Sequence, residues 1–196
     1  VFSWSVLIFT SGINIFILLA FFCVAIILLT YLIIYVPKFD YIQGRILSFF
    51  DRETGTHNFQ SDKAIDSITS GGFFGKGIGE GILKNRVPEA HTDYIISVIS
   101  EEFGVVAIML ILLLFLIFIY MVFKKISFET DDKTKLILIG SISLILMQAT
   151  IHIGVNIRLF PTTGMTLPFL SYGGSSIIST SILAGIILNL TKRKIN

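Results

Sequence analysis

Four stretches of the chain run for more than twenty residues with few or no charges: Ile15 to Val36, about Tyr94 to Phe123, about Leu136 to Ile157 and about Thr166 to Leu190. A helix rises about 1.5 Å per residue, so about 20 apolar residues cross the ~30 Å hydrocarbon layer, and each stretch predicts a transmembrane helix. Val1 to Thr10 is apolar too, but covers only about half of that thickness and reads as the tail of a longer helix. The polar segment Pro37 to Asp93 is longer than an ordinary connection, which marks it as functional. The predicted fold class is therefore all-α, a polytopic transmembrane helix bundle with a large extracytoplasmic loop. Residues 1–36 hold a truncated helix and the first full span, 37–93 the loop, and 94–196 three more helices and a basic tail.

Composition strengthens the membrane reading: 54% of the 196 residues are hydrophobic and 14% charged, against about half and a quarter in soluble domains. The net charge of +2 comes without a basic block interleaved with aromatics, so no nucleic-acid partner is expected. The lone Cys23 lies inside an apolar run, which removes disulfides and thiolate metal sites. The first basic residue is Lys38, so the charged-then-apolar order of a cleaved signal peptide is missing.

Basic residues set the orientation. Lys124, Lys125, Lys133 and Lys135 flank one short connection, and Lys192, Arg193 and Lys194 sit on the tail, which predicts both sides to be cytoplasmic. The loop 37–93 and the turn Asn156 to Met165 then face outward. Within the loop, apolar residues at 42, 46, 49 and 50 give Tyr41 to Phe50 a helical period, suited either to the membrane interface or to packing on the bundle.

Chemistry gathers where the loop meets the second span. Asn85-Arg-Val-Pro-Glu-Ala-His-Thr-Asp93 packs polar and charged groups around a proline. With Thr92 or Asp93 as N-cap, 100 degrees per residue puts Asp93, Ser97, Ser100 and Gly104 on one stripe, Glu101 near it and Glu102 almost opposite. Asp93 can serve as a cap, stabilised by the helix dipole. It can also take a proton from a hydroxyl nucleophile, and the company of Glu89 and His91 exceeds what capping requires. Glu101 and Glu102 lie in an apolar helix, where an ion faces a cavity or a partner, with helix pairing favoured for Glu102. His91 has no second histidine at ligand spacing, so no dedicated metal site is expected.

Ser70-Gly-Gly-Phe-Phe-Gly-Lys76-Gly-Ile-Gly-Glu-Gly81 fails the tests of a phosphate loop, because no Gly-Lys-Ser/Thr follows four intervening residues. Its glycines suit hinges and tight turns better than anion binding. In the third span Ser141, Gln148, His152 and Asn156 recur on one face, as a stripe of interhelical hydrogen bonds would. Pro161 to Ser176 carries too many breakers for an unbroken helix and is expected to line a cavity beside Asp93.

Three ordered blocks, Ser70-Gly-Gly-x-x-Gly-Lys-Gly-x-Gly, Pro88-Glu-Ala-His-Thr-Asp-Tyr-Ile with Glu101-Glu-Phe-Gly, and Thr163-Gly-Met-Thr-Leu-Pro-Phe-Leu-Ser-Tyr-Gly-Gly-Ser-Ser, resemble the shape, elongation, division and sporulation family of bacterial cell-wall proteins. The division branch is the nearer likeness and the elongation branch the next. The resemblance covers the C-terminal half of such a protein. It implies a peptidoglycan glycosyltransferase of the bacterial cytoplasmic membrane that polymerises lipid II, the undecaprenyl diphosphate-linked disaccharide-pentapeptide, with inversion. Asp93 stands at the family's catalytic aspartate, acting as a base or through a divalent cation, Mg or Mn. Glu89, His91, Thr92, Lys76, Ser171, Gly173 and Gly174 are the implied substrate-binding positions. The implied partners are a class B penicillin-binding protein, other division or elongation proteins and membrane lipids. Lys63 stands where glutamine is common, His152 where asparagine is common, and Arg158 where glycine is common. Two other classes fit the residues: a lipid II flippase or channel, and an inactive membrane scaffold or gene fragment.

Overall fold

The computed structural model describes residues 2–50, 56–82, 86 and 90–192, and among them all regular structure is helical. The elements are α1 Phe2–Thr10, α2 Ile15–Tyr35, a 3-10 turn Pro37–Phe39, α3 Asp40–Phe50, α4 Thr56–Gly71, α5 Ile95–Phe128, α6 Asp132–Asn156 and α7 Gly174–Thr191. Helices α2, α5, α6 and α7 are long and apolar enough to cross a membrane. They follow the four predicted spans. The last begins at Gly174 rather than Thr166, because Pro168, Gly164 and the positive φ of Phe169 keep the residues before it irregular.

Helix α2 starts where the Asn14 side chain accepts the Phe16 amide and stops before Pro37. It is apolar on every side and no residue of it is buried by the rest of the chain. Helix α1 instead lies on α6. Gly140 leaves room for Leu7, whose methyls would sit 3.3 Å from an added Cβ, and Ser143 bonds Ser3 across the interface at 3.1 Å.

Two apolar clusters bind the bundle. Val122, Leu138, Ile142, Ile145 and Ile187 join α5, α6 and α7, and Ile96, Ala149 and Leu167 join α5 and α6 to the segment before α7. Helix α5 has 34 residues, about 51 Å, more than one crossing needs. It breaks at Gly104, where φ is 78° and ψ −177°.

Helix α4 follows from no large-apolar period. Among the residues of α4 whose burial is described, those buried are Ser61, Ala64, Ser67 and Gly71, spaced by three, three and four, which places four small groups on one face and lets α4 approach α5 closely. A Cβ on Gly71 would fall 2.0 Å from the Ser100 carbonyl oxygen. The far end of α6 folds back: Leu159 and Phe160 both donate amides to the Gly154 carbonyl, at 2.7 and 3.2 Å. Arg158 in that turn has φ +59°, a left-handed conformation that glycine adopts more readily than arginine, and its guanidinium pairs with Asp62 of α4.

Candidate active site

The turn carrying Asp93 is fixed by burial on both sides of it. Ala90 and Tyr94 enter a core cluster with Ala64, Val98 and Val155, while His91 stays exposed and Thr92 and Asp93 are half-buried. Helix α5 begins at Ile95 with Tyr94 as N-cap, a residue later than expected, and the Tyr94 side chain makes no capping bond. Asp93 thus stands outside the capping position, because the bulky tyrosine is drawn into the core just before the helix.

Three successive carbonyls of this turn are each tied to a different donor. The Tyr172 amide reaches the His91 carbonyl at 3.1 Å, the Ser171 hydroxyl the Thr92 carbonyl at 2.7 Å, and the Asn156 Nδ2 the Asp93 carbonyl at 3.0 Å. Asn156 Oδ1 also accepts the Ser97 hydroxyl and amide at 2.8 and 3.2 Å. Ser171 Oγ in turn accepts the Leu167 amide at 2.8 Å. With its backbone clamped, Asp93 presents its carboxylate to Gly164, where an added Cβ would lie 3.7 Å from Oδ2. Gly164 has φ +71° and lines a cavity of about 520 Å³ with Gln148, Thr166, Gly173, Ser175 and Ser176. The expected neighbourhood of Asp93 and the Pro161 to Ser176 segment is therefore present.

The polar stripe of α6 supports this wall by hydrogen bonds. Gln148 Nε2 donates to the Thr166 carbonyl at 3.0 Å, to its hydroxyl at 3.1 Å and to Ser176 Oγ at 3.0 Å. His152 is fully buried with Nδ1 2.7 Å from the Met165 carbonyl, which assigns the ring proton to Nδ1.

The glycine-rich segment does something its sequence did not suggest: it is spliced into the break of α5. Val105 and Val106 have lost their helical acceptors at Gly104, and their amides bond the carbonyls of Gly72 and Phe73 at 2.9 and 3.3 Å. In the other direction the Lys76 and Gly77 amides reach the carbonyls of Glu101 and Glu102 at 2.9 and 3.1 Å. Only glycine permits such an approach, because an added Cβ would fall 2.2 Å from the Glu102 carbonyl oxygen at Gly75 and 2.2 Å from the Phe73 carbonyl oxygen at Gly104. Lys76 closes the splice with an ion pair to Glu101 at 2.9 Å, where the carboxylate is buried. Glu101 is thus an acid held by this loop.

The structure brings His91, Thr92, Asp93 and Ser171 together and sets Gly173, at the start of α7, on the cavity wall, with Gly174 the first residue of that helix. Lys76 is committed to Glu101, and Glu89 lies outside the described residues. Asn156 and Gly164 emerge as site residues. Asn156 was visible as the end of the polar stripe, whereas Gly164 carried no signal beyond its place in a breaker-rich segment. Among the described residues no three His, Cys, Asp or Glu side chains converge.

A helical multi-pass membrane protein, with one acid clamped at a helix mouth and a backbone loop spliced into that helix, is the class these features define. The chain belongs to the FtsW/RodA/SpoVE family of cell cycle proteins, whose model matches residues 1–196. It is 37% identical over 158 residues to a probable peptidoglycan glycosyltransferase FtsW of Caulobacter vibrioides, covering 80% of this chain and 40% of the relative. To the protein of the same name from Enterococcus hirae it is 33% identical over 181 residues, covering 87% and 46%. A solved structure described as the structural coordination of polymerization and crosslinking by a peptidoglycan synthase complex superposes with a TM-score of 0.76 at 25% identity, over 100% of this chain and 55% of that one. The chain spans about half the length of the relatives it matches.

Proposed function

We propose that this chain is the half of a peptidoglycan glycosyltransferase that carries the catalytic aspartate, and that Asp93 is the general base in lipid II polymerisation. The observation behind the reading is the clamp: three consecutive carbonyls, of residues 91, 92 and 93, are held by Tyr172, Ser171 and Asn156, which fixes the backbone from which the carboxylate projects beside Gly164. The names of the relatives support the same chemistry.

In this mechanism an Asp93 oxygen accepts the proton of the acceptor sugar's 4-hydroxyl. The hydroxyl oxygen forms its bond to the anomeric carbon of the donor on the face opposite the diphosphate. The carbon–oxygen bond to the diphosphate breaks, its electron pair leaves with undecaprenyl diphosphate, and the anomeric configuration inverts. His91, Thr92 and, outside the described residues, Glu89 contact the sugar around Asp93. Gly173 and Gly174 admit substrate near the start of α7, where nothing lies within 4 Å of a Cβ on Gly174. Ser171 and Lys76 act through their partners, the Thr92 carbonyl and Glu101. Asp93 offers one carboxylate, which would be enough to share a magnesium or manganese ion with a substrate diphosphate. The loop faces the outer side of the bacterial inner membrane and the C-terminus the cytoplasm. A class B penicillin-binding transpeptidase and other division or elongation proteins complete the assembly.

The deciding measurement is lipid II polymerisation by the complete assembly. Asp93→Asn is expected to slow glycan growth by about a hundredfold to ten-thousandfold, the worth of a general base, with assembly intact. Wild-type rates in that variant would refute the assignment, and vesicles that translocate labelled lipid II without making glycan would replace it with a transport function.

A further inference from the structure

Phe73, Phe74 and Ile78 stand on the tip of the spliced loop with 75%, 86% and 80% of their surface exposed, unusual for three large apolar side chains within six residues. Their height along the bundle is set by the backbone bonds of the splice, because Gly72 and Phe73 receive the amides of Val105 and Val106 while Lys76 and Gly77 bond the carbonyls of Glu101 and Glu102. The loop therefore lies level with residues 101–106 of α5.

That level can be placed against the bilayer. From Val105 to Phe123, next to Lys124 and Lys125, are eighteen helical steps, which at about 1.5 Å each come to about 27 Å, close to the ~30 Å of the hydrocarbon layer. The lysines mark one boundary, so the break at Gly104 marks the other. Below the break, Val106, Met109, Leu110 and Leu113 are exposed by 52% to 61%, an apolar face of α5 that nothing else in the chain covers and that suits lipid. The loop tip continues this face at its upper edge. Its one lysine is paired with Glu101 and keeps 32% of its side chain exposed, so the large side chains left without a polar partner at the tip are Phe73, Phe74 and Ile78.

We propose that Phe73, Phe74 and Ile78 form a membrane anchor that inserts into the acyl and headgroup boundary of the leaflet above the Gly104 break. The backbone splice makes the anchor rigid with the first turns of α5. It thus fixes the height of the Asp93 turn over the lipid surface. The anchor stands on geometry alone and does not depend on which reaction the site performs.

The test uses the full chain in phosphatidylcholine and phosphatidylglycerol vesicles, with its single tryptophan, Trp4, changed to Phe and one reporter returned at Phe74→Trp or, separately, Ile78→Trp. Leu116→Trp, on the lipid face of α5, calibrates the hydrocarbon, and Asp66→Trp, on the exposed side of α4, calibrates water. The expected result is blue-shifted emission at positions 74 and 78, with strong loss of intensity from lipids carrying a quencher near the headgroup, weaker loss from a quencher at the chain end, and little from aqueous iodide. Position 116 should show the reverse depth order. Emission and iodide quenching like those of the Asp66→Trp reporter would overturn the anchor. So would shielding from both lipid and aqueous quenchers, which would mean that another protein surface covers the tip.

Discussion

Asn156 donates its Nδ2 to the Asp93 carbonyl at 3.0 Å while its Oδ1 accepts the Ser97 hydroxyl at 2.8 Å, so one side chain of α6 holds the entry of α5 from two sides. A second Nδ2 bond goes to the His152 carbonyl at 2.9 Å, and the residue is fully buried. Every bonding position of the amide is used where water cannot substitute.

Replacing this amide should therefore be costly in a way that distinguishes its ends. Asn156→Leu removes all of the bonds at similar size and is expected to destabilise the chain by about 2–5 kcal/mol, since each stranded group costs about 1–3 kcal/mol. Asn156→Asp keeps the acceptor for Ser97 and loses the two donor bonds, to the Asp93 and His152 carbonyls. It should fold better than the leucine variant while polymerisation by the complete assembly still falls. Equal unfolding midpoints for the wild type and the leucine variant would show that the clamp has no energetic weight.

The glycines divide by what an added methyl would meet. At Gly104 an alanine would combine the unfavourable φ of +78° with a Cβ 2.2 Å from the Phe73 carbonyl oxygen, a backbone atom held by the splice. This positive-φ, extended-ψ conformation, essentially confined to glycine, alone costs about 1–3 kcal/mol, and the collision adds to it. Gly104→Ala is expected to expel the loop and to speed hydrogen exchange at the Val105 and Val106 amides. At Gly154 the obstruction is the ring of Phe160, 2.3 Å from the added Cβ but 37% exposed and able to swing outward. Gly154→Ala should leave exchange in the splice unchanged.

The spans were legible because a membrane helix announces itself by a long apolar run, and α6 revealed Ser141, Gln148, His152 and Asn156 by returning polar groups to one face. The loop helix α4 was not, since its buried face is made of Ser61, Ala64, Ser67 and Gly71, residues that carry little hydropathy and read as a linker. The break at Gly104 was hidden for another reason. Its partners Gly72 and Phe73 lie about thirty positions earlier, and no local pattern couples two backbone segments whose bonds are all main chain. Asp93 could be singled out by its neighbours in sequence, whereas its clamp needed three segments to meet.

Lys76 and Glu101 permit a test of how the splice is locked. The Glu101 side chain is 3% exposed and the Lys76 side chain 32%, so the pair is sealed on one side only. Lys76→Met removes the cation from a buried acid, and the expected cost is about 1–3 kcal/mol, less than for a fully buried pair because water still reaches the lysine end. Adding Glu101→Gln to that variant should recover part of the loss, as the charge no longer has to be buried. A double variant less stable than the sum of the two single ones would reverse this account of the pair.

At the opposite end of the bundle, the connection between α5 and α6 should respond to acid through its helix cap. Asp131 accepts the Thr134 hydroxyl at 2.6 Å and the Thr134 amide at 3.0 Å, and these bonds, the side-chain one foremost, hold its carboxyl below the ordinary value of 3.8. Glu129 is lowered from 4.5 in the same connection, chiefly by its bond to Lys125. A carboxyl depressed by folding contributes stability above its unfolded value and loses it as pH falls through the lower folded value. The cap should accordingly be intact at neutral pH and open only below about pH 4, the ordinary carboxylate range. The Thr134 amide reports this directly: its hydrogen-exchange protection, corrected for the intrinsic rate, should decline in that window. Asn is a comparable N-cap but does not titrate, so Asp131→Asn should keep the protection at every pH, whereas Asp131→Ala should lack it throughout. Protection in the wild type that stays flat down to pH 2 would mean that the carboxylate is not what holds the first turn of α6.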